Sequence, residues 1–262
     1  DGLFCWKEYC PFPQKKREPL RGINLSSTSN VNRIFLAGVK LKGADLKGAD
    51  LKWANLEGAD LEGANLENAN LLGANLEAVN LDGSNLEGAN LESSKLTNAT
   101  LNKANLIGAN LSHTLAFGVA LHGASLTNAN LFRSILQSAD LREAIFYAAN
   151  LSEATLNGAT LSDANLKDAN LSKSVLIEAF LRRTNLSGAN LSQANLTGAQ
   201  LEDANLSWAN LIDTRLVNSN LTRADLEHAN LSSANLFGVK DWPTTMGKDY
   251  IFNLDQARNV PN

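Results

Sequence analysis

The feature that most constrains the fold of this chain is an unbroken period of five residues. From Leu36 to Leu236, 41 positions are spaced by five, and leucine occupies all of them except Ala116 and Phe146. Two positions before these centres, 29 of the 41 residues are Ala, and one position before, 26 are Asn or Asp. Helical patterns recur at three and four residues and strand patterns at two, so this unit fits neither a single helix nor a single strand.

The unit A-(N/D)-L-x-x predicts a short extended segment followed by a turn. Ala and Leu lie two residues apart, so they point to the same side of an extended segment. The second x is often glycine, as at Gly43 and Gly48, which suits the positive φ at the third position of a type II turn. Bulky residues at that position should impose other turns, and we test this at Trp53, Arg133 and Trp208.

Stretches such as "ADLKGADLKWANLEGADLEGANL" (44–66) resemble the pentapeptide-repeat family. The resemblance implies an all-β fold, a right-handed quadrilateral β-helix with four repeats per coil, so that residues 20 apart stack. It covers about residues 31–240, which corresponds to about ten coils. With strands about 4.8 Å apart, the rod would be on the order of 50 Å long.

The two ends of the chain differ from the repeats. Residues 1–30 and 241–262 break the period and carry all five prolines. Because the ends of a solenoid expose apolar core, we expect these segments to be non-repeat caps. Dimerisation through an end is the alternative, since some relatives pair through their C-terminal coils. The apolar residues expected to cover the ends are Phe4, Trp6, Tyr9 and Phe12, and Trp242, Tyr250, Ile251 and Phe252.

Both cysteines, Cys5 and Cys10, lie in the N-terminal segment. A disulfide between them would suit an oxidising compartment, and two free thiols are the alternative. A metal site is less favoured, because no second Cys pair or His cluster accompanies them. Leu-centred arrays with this use of Asn also resemble cyanobacterial members, many of which are exported. The periplasm or thylakoid lumen is therefore favoured over the cytoplasm.

Composition and charge exclude several classes of function. The net charge is −4 and the pI is near 5.5, which argues against nucleic-acid binding because that needs a basic face. No run of 18 apolar residues occurs, so we expect no membrane insertion. His113, His122 and His228 fall on different coils, and the glycines follow the repeat rather than forming a phosphate loop. We therefore expect no enzyme and no cofactor.

Sorting the residue before each centre in steps of 20 separates four columns. One column is Asp or Asn throughout, from Asp50 to Asn230. Stacked amides can hydrogen-bond to one another along the axis of a β-stack. We therefore predict a stabilising asparagine ladder on that side of the rod.

Another column turns apolar at "LSHTLAFGVALHGA" (111–124), where Ala116 replaces a centre leucine. Ala116 is interpreted as a packing variation, with the larger Thr114 and Val119 supplying some of the missing carbons. Leu115 should then point to solvent. With apolar residues on neighbouring coils, Leu115 is predicted to form one contiguous apolar surface with arginines at its rim. Such patches mark interaction sites, so we expect a partner to bind there. The candidate partner-binding residues are Leu115, Phe117, Ile135, Val175, Ile177, Phe180, Arg182 and Arg183.

These features predict a non-enzymatic binding scaffold that uses one side for a protein partner or a second copy of itself. The alternatives for the apolar column are that β-branched residues simply favour exposed strands, or that a terminal segment folds back over the column. The alternative function, implied by resemblance to quinolone-resistance members, is a DNA mimic that binds gyrase. Those members are strongly acidic and mostly Phe-centred. Here the centres are leucine, no loop interrupts the array, and lysines dilute the charge: Lys40, Lys42, Lys47 and Lys52.

Overall fold

The computed structural model describes residues 34–242, 251 and 253–261. Parallel bridges join residues 20 apart, from the pair Phe35–Asn55 to the pair Asn220–Lys240. Four five-residue units therefore complete one coil of a β-helix, and the predicted stacking of residues 20 apart is confirmed. The described residues contain one short 3-10 helix, Leu254–Gln256, near the C-terminus. Residues 1–30, with Cys5 and Cys10, lie outside the described residues.

The four bridge columns define four sides of the rod, which we name in chain order. Face A carries bridge residues 35, 55 and so on to 235, and face B carries 40 to 240. Face C carries 45 to 225, and face D carries 50 to 230. Each turn between two units forms a corner between neighbouring faces.

A single unit accounts for all five of its backbone N–H groups. In unit 64–68, Ala64 donates to the leucine carbonyl three residues back at 2.9 Å, which closes the turn. Asn65, Leu66 and Asn68 donate to carbonyls of neighbouring coils at 2.8, 2.6 and 2.8 Å. The remaining N–H, of Glu67, donates to Oδ1 of Asn65 at 3.2 Å. Asn and Asp are therefore frequent before the centre because their side chains satisfy the one N–H that neither the turn nor the stack reaches.

The turns do not depend on the residue at the second x position. The backbone φ is positive at all 41 of these positions, with Trp53 at 60°, Arg133 at 54° and Trp208 at 61°, close to Gly58 at 62°. The prediction that bulky residues impose other turns is therefore wrong. The N–H of this residue donates to the next coil, as from Trp53 to the Leu72 carbonyl at 2.9 Å. The stack thus holds every turn in one conformation, against a cost of about 1–2 kcal/mol for a side chain at positive φ.

The core is a column of leucine and alanine side chains that fills the inside of the coils. Leucines from Leu46 to Leu236 are buried, and Phe146 takes a leucine position with no exposed surface. Each buried leucine contributes about 1.5–3 kcal/mol. At the irregular coil, Ala116 and Thr114, two residues before it, are both buried, whereas Leu115 between them is 45% exposed. The phase predicted from the sequence therefore holds there.

The two ends of the described stack differ. At the N-terminal end, Leu36 and Leu41 are only partly buried. At the C-terminal end, Trp242 is buried and Leu254 packs against the core. A parallel bridge between Asn235 and Arg258 places the C-terminal segment against the last coil. Tyr250 and Phe252, which were also expected to cover this end, lie outside the described residues.

Candidate functional site

Face D is the most regular side of the rod and face A is the least regular. On face D every inward small residue from Ala49 to Ala229 is alanine, and every bridge residue is Asn or Asp. Face A departs from this pattern in its middle coils, where the bridge residues are Lys95, Leu115, Ile135, Thr155 and Val175. Regularity stabilises the stack, so the departures on face A indicate where another requirement acts.

Three exposed apolar side chains lie together on face A. Leu115 and Ile135 form a bridge and are 45% and 37% exposed, and Phe117, two residues after Leu115, is 46% exposed. Leucine and isoleucine cannot accept the hydrogen bond that Asn provides elsewhere to the N–H two residues on. These positions therefore give up a bond that contributes about 0.5–1.5 kcal/mol and expose apolar surface instead.

The second apolar group on face A lies two coils further along. Val175 and Ile177 are half-buried rather than exposed. Thr155, Gln137 and Asn157 occupy the positions between the two groups, and Asn157 accepts a hydrogen bond from the Ile177 N–H at 3.2 Å. The sequence predicted one contiguous apolar surface, but the structure places two groups with polar side chains between them, because the coil at 151–170 has polar residues in both columns.

The remaining candidate residues lie around the corner from face A. Phe180 is a face B bridge residue between Thr160 and Gln200 and is 49% exposed. Arg182 follows on face B and is exposed, and Arg183 lies at the corner between faces B and C. The structure thus brings Phe180 and Arg182 near one another, but on a different face from Leu115.

Arg183 is already engaged within its own corner. Its guanidinium donates two hydrogen bonds to the Asp163 carboxylate, at 2.6 and 2.5 Å. The same arrangement recurs one pair further along, between Arg223 and Asp203 at 2.6 and 2.7 Å. Hydrogen bonds from these arginines lower the pKa of the Asp163 and Asp203 carboxyls, which keeps the carboxylates charged. The corner is therefore a column of alternating charges.

Sequence reasoning missed a second exposed apolar cluster, on face C. Ile145 and Tyr147 are 41% and 42% exposed, and Ile107, on the same side two coils earlier, is 38% exposed. The signal was present in the sequence, because Ile145 interrupts a column of face C that is otherwise mostly Asn and Asp. Ile145 is a single apolar interruption of its column, whereas apolar residues such as Leu115 and Ile135 recur in theirs, so the sequence pattern points to face A alone.

Aromatic contacts across coils also escaped the sequence pattern. The rings of Trp208 and His228, which are 20 residues apart, lie 4.1 Å apart between centroids. The rings of His113 and Phe132 pack edge to face with their centroids 5.5 Å apart, and the Arg133 guanidinium lies 4.9 Å from the centre of the Phe132 ring. Two of the three histidines therefore take part in packing contacts on the surface of the rod.

The third histidine, His122, lies beside a carboxylate of the next coil. His122 Nε2 lies 4.0 Å from a carboxylate oxygen of Glu143, and both groups are partly exposed. Within the described ranges, no group of three His, Cys, Asp or Glu side chains could hold a metal ion. The described part of the chain also contains no helix long and apolar enough to cross a membrane.

The fold and surface define a β-helical repeat protein whose sides carry partly exposed apolar groups. Its repeats match the family model of pentapeptide repeats, and the chain belongs to this family. Eight copies of the model match, and together they span residues 20–238. This span begins before residue 31, where the sequence pattern placed the first repeat.

Solved structures of pentapeptide repeat proteins are similar to this chain. HetL, from the cyanobacterium Nostoc sp. strain PCC 7120, is 36% identical over 86% of this chain and 92% of its own, with a TM-score of 0.35. Trypsin-treated QnrB1, a plasmid-mediated fluoroquinolone resistance protein, is 19% identical over 85% and 92%, with a TM-score of 0.39. A protein of the Arabidopsis thaliana thylakoid lumen is 29% identical over 47% and 73%, with a TM-score of 0.21. No curated protein sequence matches the chain.

Proposed function

We propose that this protein is a non-enzymatic binding scaffold, and that a protein partner docks on face A, centred on Leu115, Phe117 and Ile135 and reaching the second apolar group at Val175 and Ile177. The observation that carries this proposal is the half-exposure of three apolar side chains on adjacent coils. Two of them occupy positions where Asn would stabilise the turn. A side that gives up stabilising bonds for exposed apolar surface is typical of an interaction site.

The surface charges weaken the alternative of a DNA mimic. Acidic side chains near the N-terminal end are paired with lysines one coil away, Lys42 with Glu62 at 2.7 Å and Lys47 with Glu67 at 2.9 Å. A DNA mimic needs a run of unpaired negative charge, whereas these pairs bring both signs together along the rod. A protein partner that recognises apolar side chains fits this surface better.

A double substitution on face A tests the proposal. Phe117→Ser with Ile177→Ser should leave the melting temperature nearly unchanged, because neither side chain belongs to the core. The same variant should weaken partner capture by a few kcal/mol, the scale of hot-spot truncations. The control Leu136→Ala removes a buried side chain, and it should lower stability by about 2–5 kcal/mol. Capture from the native source at wild-type strength by the double Ser variant would contradict the proposal.

The finer features of the fold and location belong to the same proposal. We infer a right-handed β-helix of about ten coils over residues 31–240, with residues 1–30 and 241–262 as caps. The burial of Trp242 and the packing of Leu254 support the C-terminal cap. Maturation in the periplasm or thylakoid lumen is also proposed, and it predicts a Cys5–Cys10 disulfide. Thiol titration of the unfolded native protein without reductant should then find no free thiols, and two free thiols would remove this support.

A further inference from the structure

We propose that the partner on face A is a second copy of this chain, packed face to face with its axis antiparallel. This inference rests on the proposed function, since it assigns the occupant of the same surface. It follows from the order of side chains along face A, which is complementary to its own reverse. Closed two-fold dimers use one surface patch on both copies, so a self-complementary face is the requirement.

The two apolar groups on face A fit this arrangement. Consider a two-fold axis that lies in the plane of the interface, parallel to the strands, midway between the bridge residues Ile135 and Thr155. Each residue then faces the one lying the same number of coils on the other side of the axis. Leu115 faces Val175 of the second copy, and Phe117 faces Ile177 of the second copy. The polar coil that separates the two groups within one chain therefore lies near the axis, and neither group remains exposed in the dimer.

The charges beside face A fit the same register. Arg133 and Glu153 occupy the corner next to the axis, joined by a hydrogen bond of 2.6 Å within one chain. Across the axis, Arg133 faces Glu153 of the second copy, so the two pairs combine into a cluster of four alternating charges.

Toward the ends, Glu77 faces Val217 of the second copy and lies diagonal to Arg215 of that copy. Arg215 in turn faces Asn75. Within its own chain the Glu77 carboxylate lies 3.8 Å from Lys95 Nζ. Opposite charges across an interface fix its register and suppress other alignments.

A parallel arrangement is less complementary. With the axis along the rod, every residue faces its own coil in the other copy. The apolar residues would still face one another, Leu115 with Phe117 and Val175 with Ile177. The coils that carry Glu77 and Arg215, however, would each face themselves and bring no opposite charges together. Only Lys173 and Glu178, at the two edges of one coil, would gain an opposite charge. The antiparallel register is therefore the one that matches both the apolar groups and the charges.

The size of the face sets the strength of the dimer. Ten coil spacings of about 4.8 Å, with a face about 10 Å wide from three extended residues, give a footprint of roughly 500 Å² per copy. Stable interfaces bury about 800 Å² per partner, so this contact falls in the range of weak, reversible complexes. We therefore expect a dimer that forms in the micromolar range and dissociates on dilution.

Sedimentation equilibrium of the full chain with charge-reversal variants tests the inference. Wild-type protein should show a monomer–dimer equilibrium. Glu77→Arg should weaken it about tenfold, because both ends of the dimer then carry like charges, and Arg215→Glu should do the same. The combined variant Glu77→Arg with Arg215→Glu should return to the wild-type constant. Lys167→Glu is the matched control. It changes the charge by as much as Arg215→Glu, but on face C, and it should have no effect.

Each outcome decides the inference and separates it from the proposed function. A wild-type chain that stays monomeric at high concentration overturns the second-copy assignment. A dimer that the charge variants leave unchanged overturns the antiparallel register. In either case the Phe117→Ser and Ile177→Ser variant, tested for capture of a partner from the native source, still reports on the proposed function. Restoration by the combined variant supports the inference, because only the antiparallel register brings these two positions together.

Discussion

At the scale of single residues, side chains at the corners are matched to the corner 20 residues later. The Trp53 ring lies over Gly73, where an added Cβ would come within 1.8 Å of a ring carbon. The Trp208 ring packs at a tilt against the His228 ring, and Asp163 forms an ion pair with Arg183, also 20 residues later. Bulk at one corner is therefore accommodated by a small, flat or oppositely charged residue at the next.

Gly73→Ala and Gly83→Ala separate this vertical match from backbone strain. Both glycines have a φ of 64°, but only Gly73 has a side chain within contact range of an added Cβ. Each variant should lose about 1–2 kcal/mol from alanine at positive φ. Gly73→Ala should lose more, because the Trp53 ring must move, and Trp53→Ala should remove that excess. Denaturant unfolding measures the two glycine variants, Trp53→Ala, and the double variant Trp53→Ala with Gly73→Ala. Equal losses in the two glycine variants would rule out the vertical match.

At the scale of elements, the asparagine ladder on face D has a direction. Each Asn from Asn70 to Asn210 donates from Nδ2 to the Oδ1 of the residue 20 positions earlier, as from Asn150 to Asn130 at 2.9 Å and from Asn130 to Asn110 at 3.1 Å. The first described member, Asp50, accepts from Asn70 at 3.1 Å. An aspartate is suited to that place, because the first position accepts along the ladder and a carboxylate only accepts.

Asn130→Asp should therefore destabilise the protein. The substitution keeps the acceptor for the Phe132 N–H and for Asn150, but it removes the donor to Asn110. The expected loss in the free energy of unfolding is about 0.5–1.5 kcal/mol, the net contribution of one hydrogen bond. Asn128→Asp, at an exposed turn in the same coil, is the control and should be nearly neutral. A loss at residue 128 as large as that at residue 130 would contradict the ladder.

The charged corner between faces B and C predicts a pH dependence. Arg183 lowers the pKa of Asp163 in the folded state. A carboxyl whose pKa is lowered by folding stabilises the folded state at pH values above its ordinary pKa, which is near 3.9. This contribution disappears as the pH falls through the lowered pKa. In Arg183→Gln the pKa of Asp163 should rise toward its ordinary value, which carboxyl NMR titration measures. Glu178→Gln is the control, because it removes an exposed charge on the neighbouring corner, and it should leave the pKa of Asp163 unchanged. An unchanged Asp163 pKa in Arg183→Gln would refute the pairing.

The sequence predicted those features that repeat every five residues and missed those set by neighbours 20 residues away. The period fixed the stacking, the leucine core and the exposure of Leu115. It did not predict the uniform turn at Trp53, because the vertical hydrogen bond decides the turn and residue propensity does not. The two separate groups on face A and the cluster around Ile145 depend on which side chains of neighbouring coils separate or cover them, and the five-residue period does not specify this.

At the scale of the whole molecule, each coil contacts only its neighbours along the rod. Stability in such a stack is approximately a sum of coil and neighbour terms, so a local change should have a local effect. The ends should differ, because Leu36 and Leu41 are partly exposed at one end while Trp242 is buried at the other. Amide exchange should therefore be faster in the first described coil than in the last.

Trp242→Ala tests both the cap and the locality of its effect. Removing a buried aromatic side chain costs about 3–5 kcal/mol. In a stack, this loss should raise amide exchange in residues 211–240 while residues 111–150 keep their protection. Trp208→Ala is the matched control, since Trp208 is 63% exposed at a corner and Trp242 is 5% exposed, and it should have little effect on either range. Equal acceleration of both ranges in Trp242→Ala would mean that the rod unfolds as one cooperative unit, so that its coils are not energetically independent beyond their neighbours.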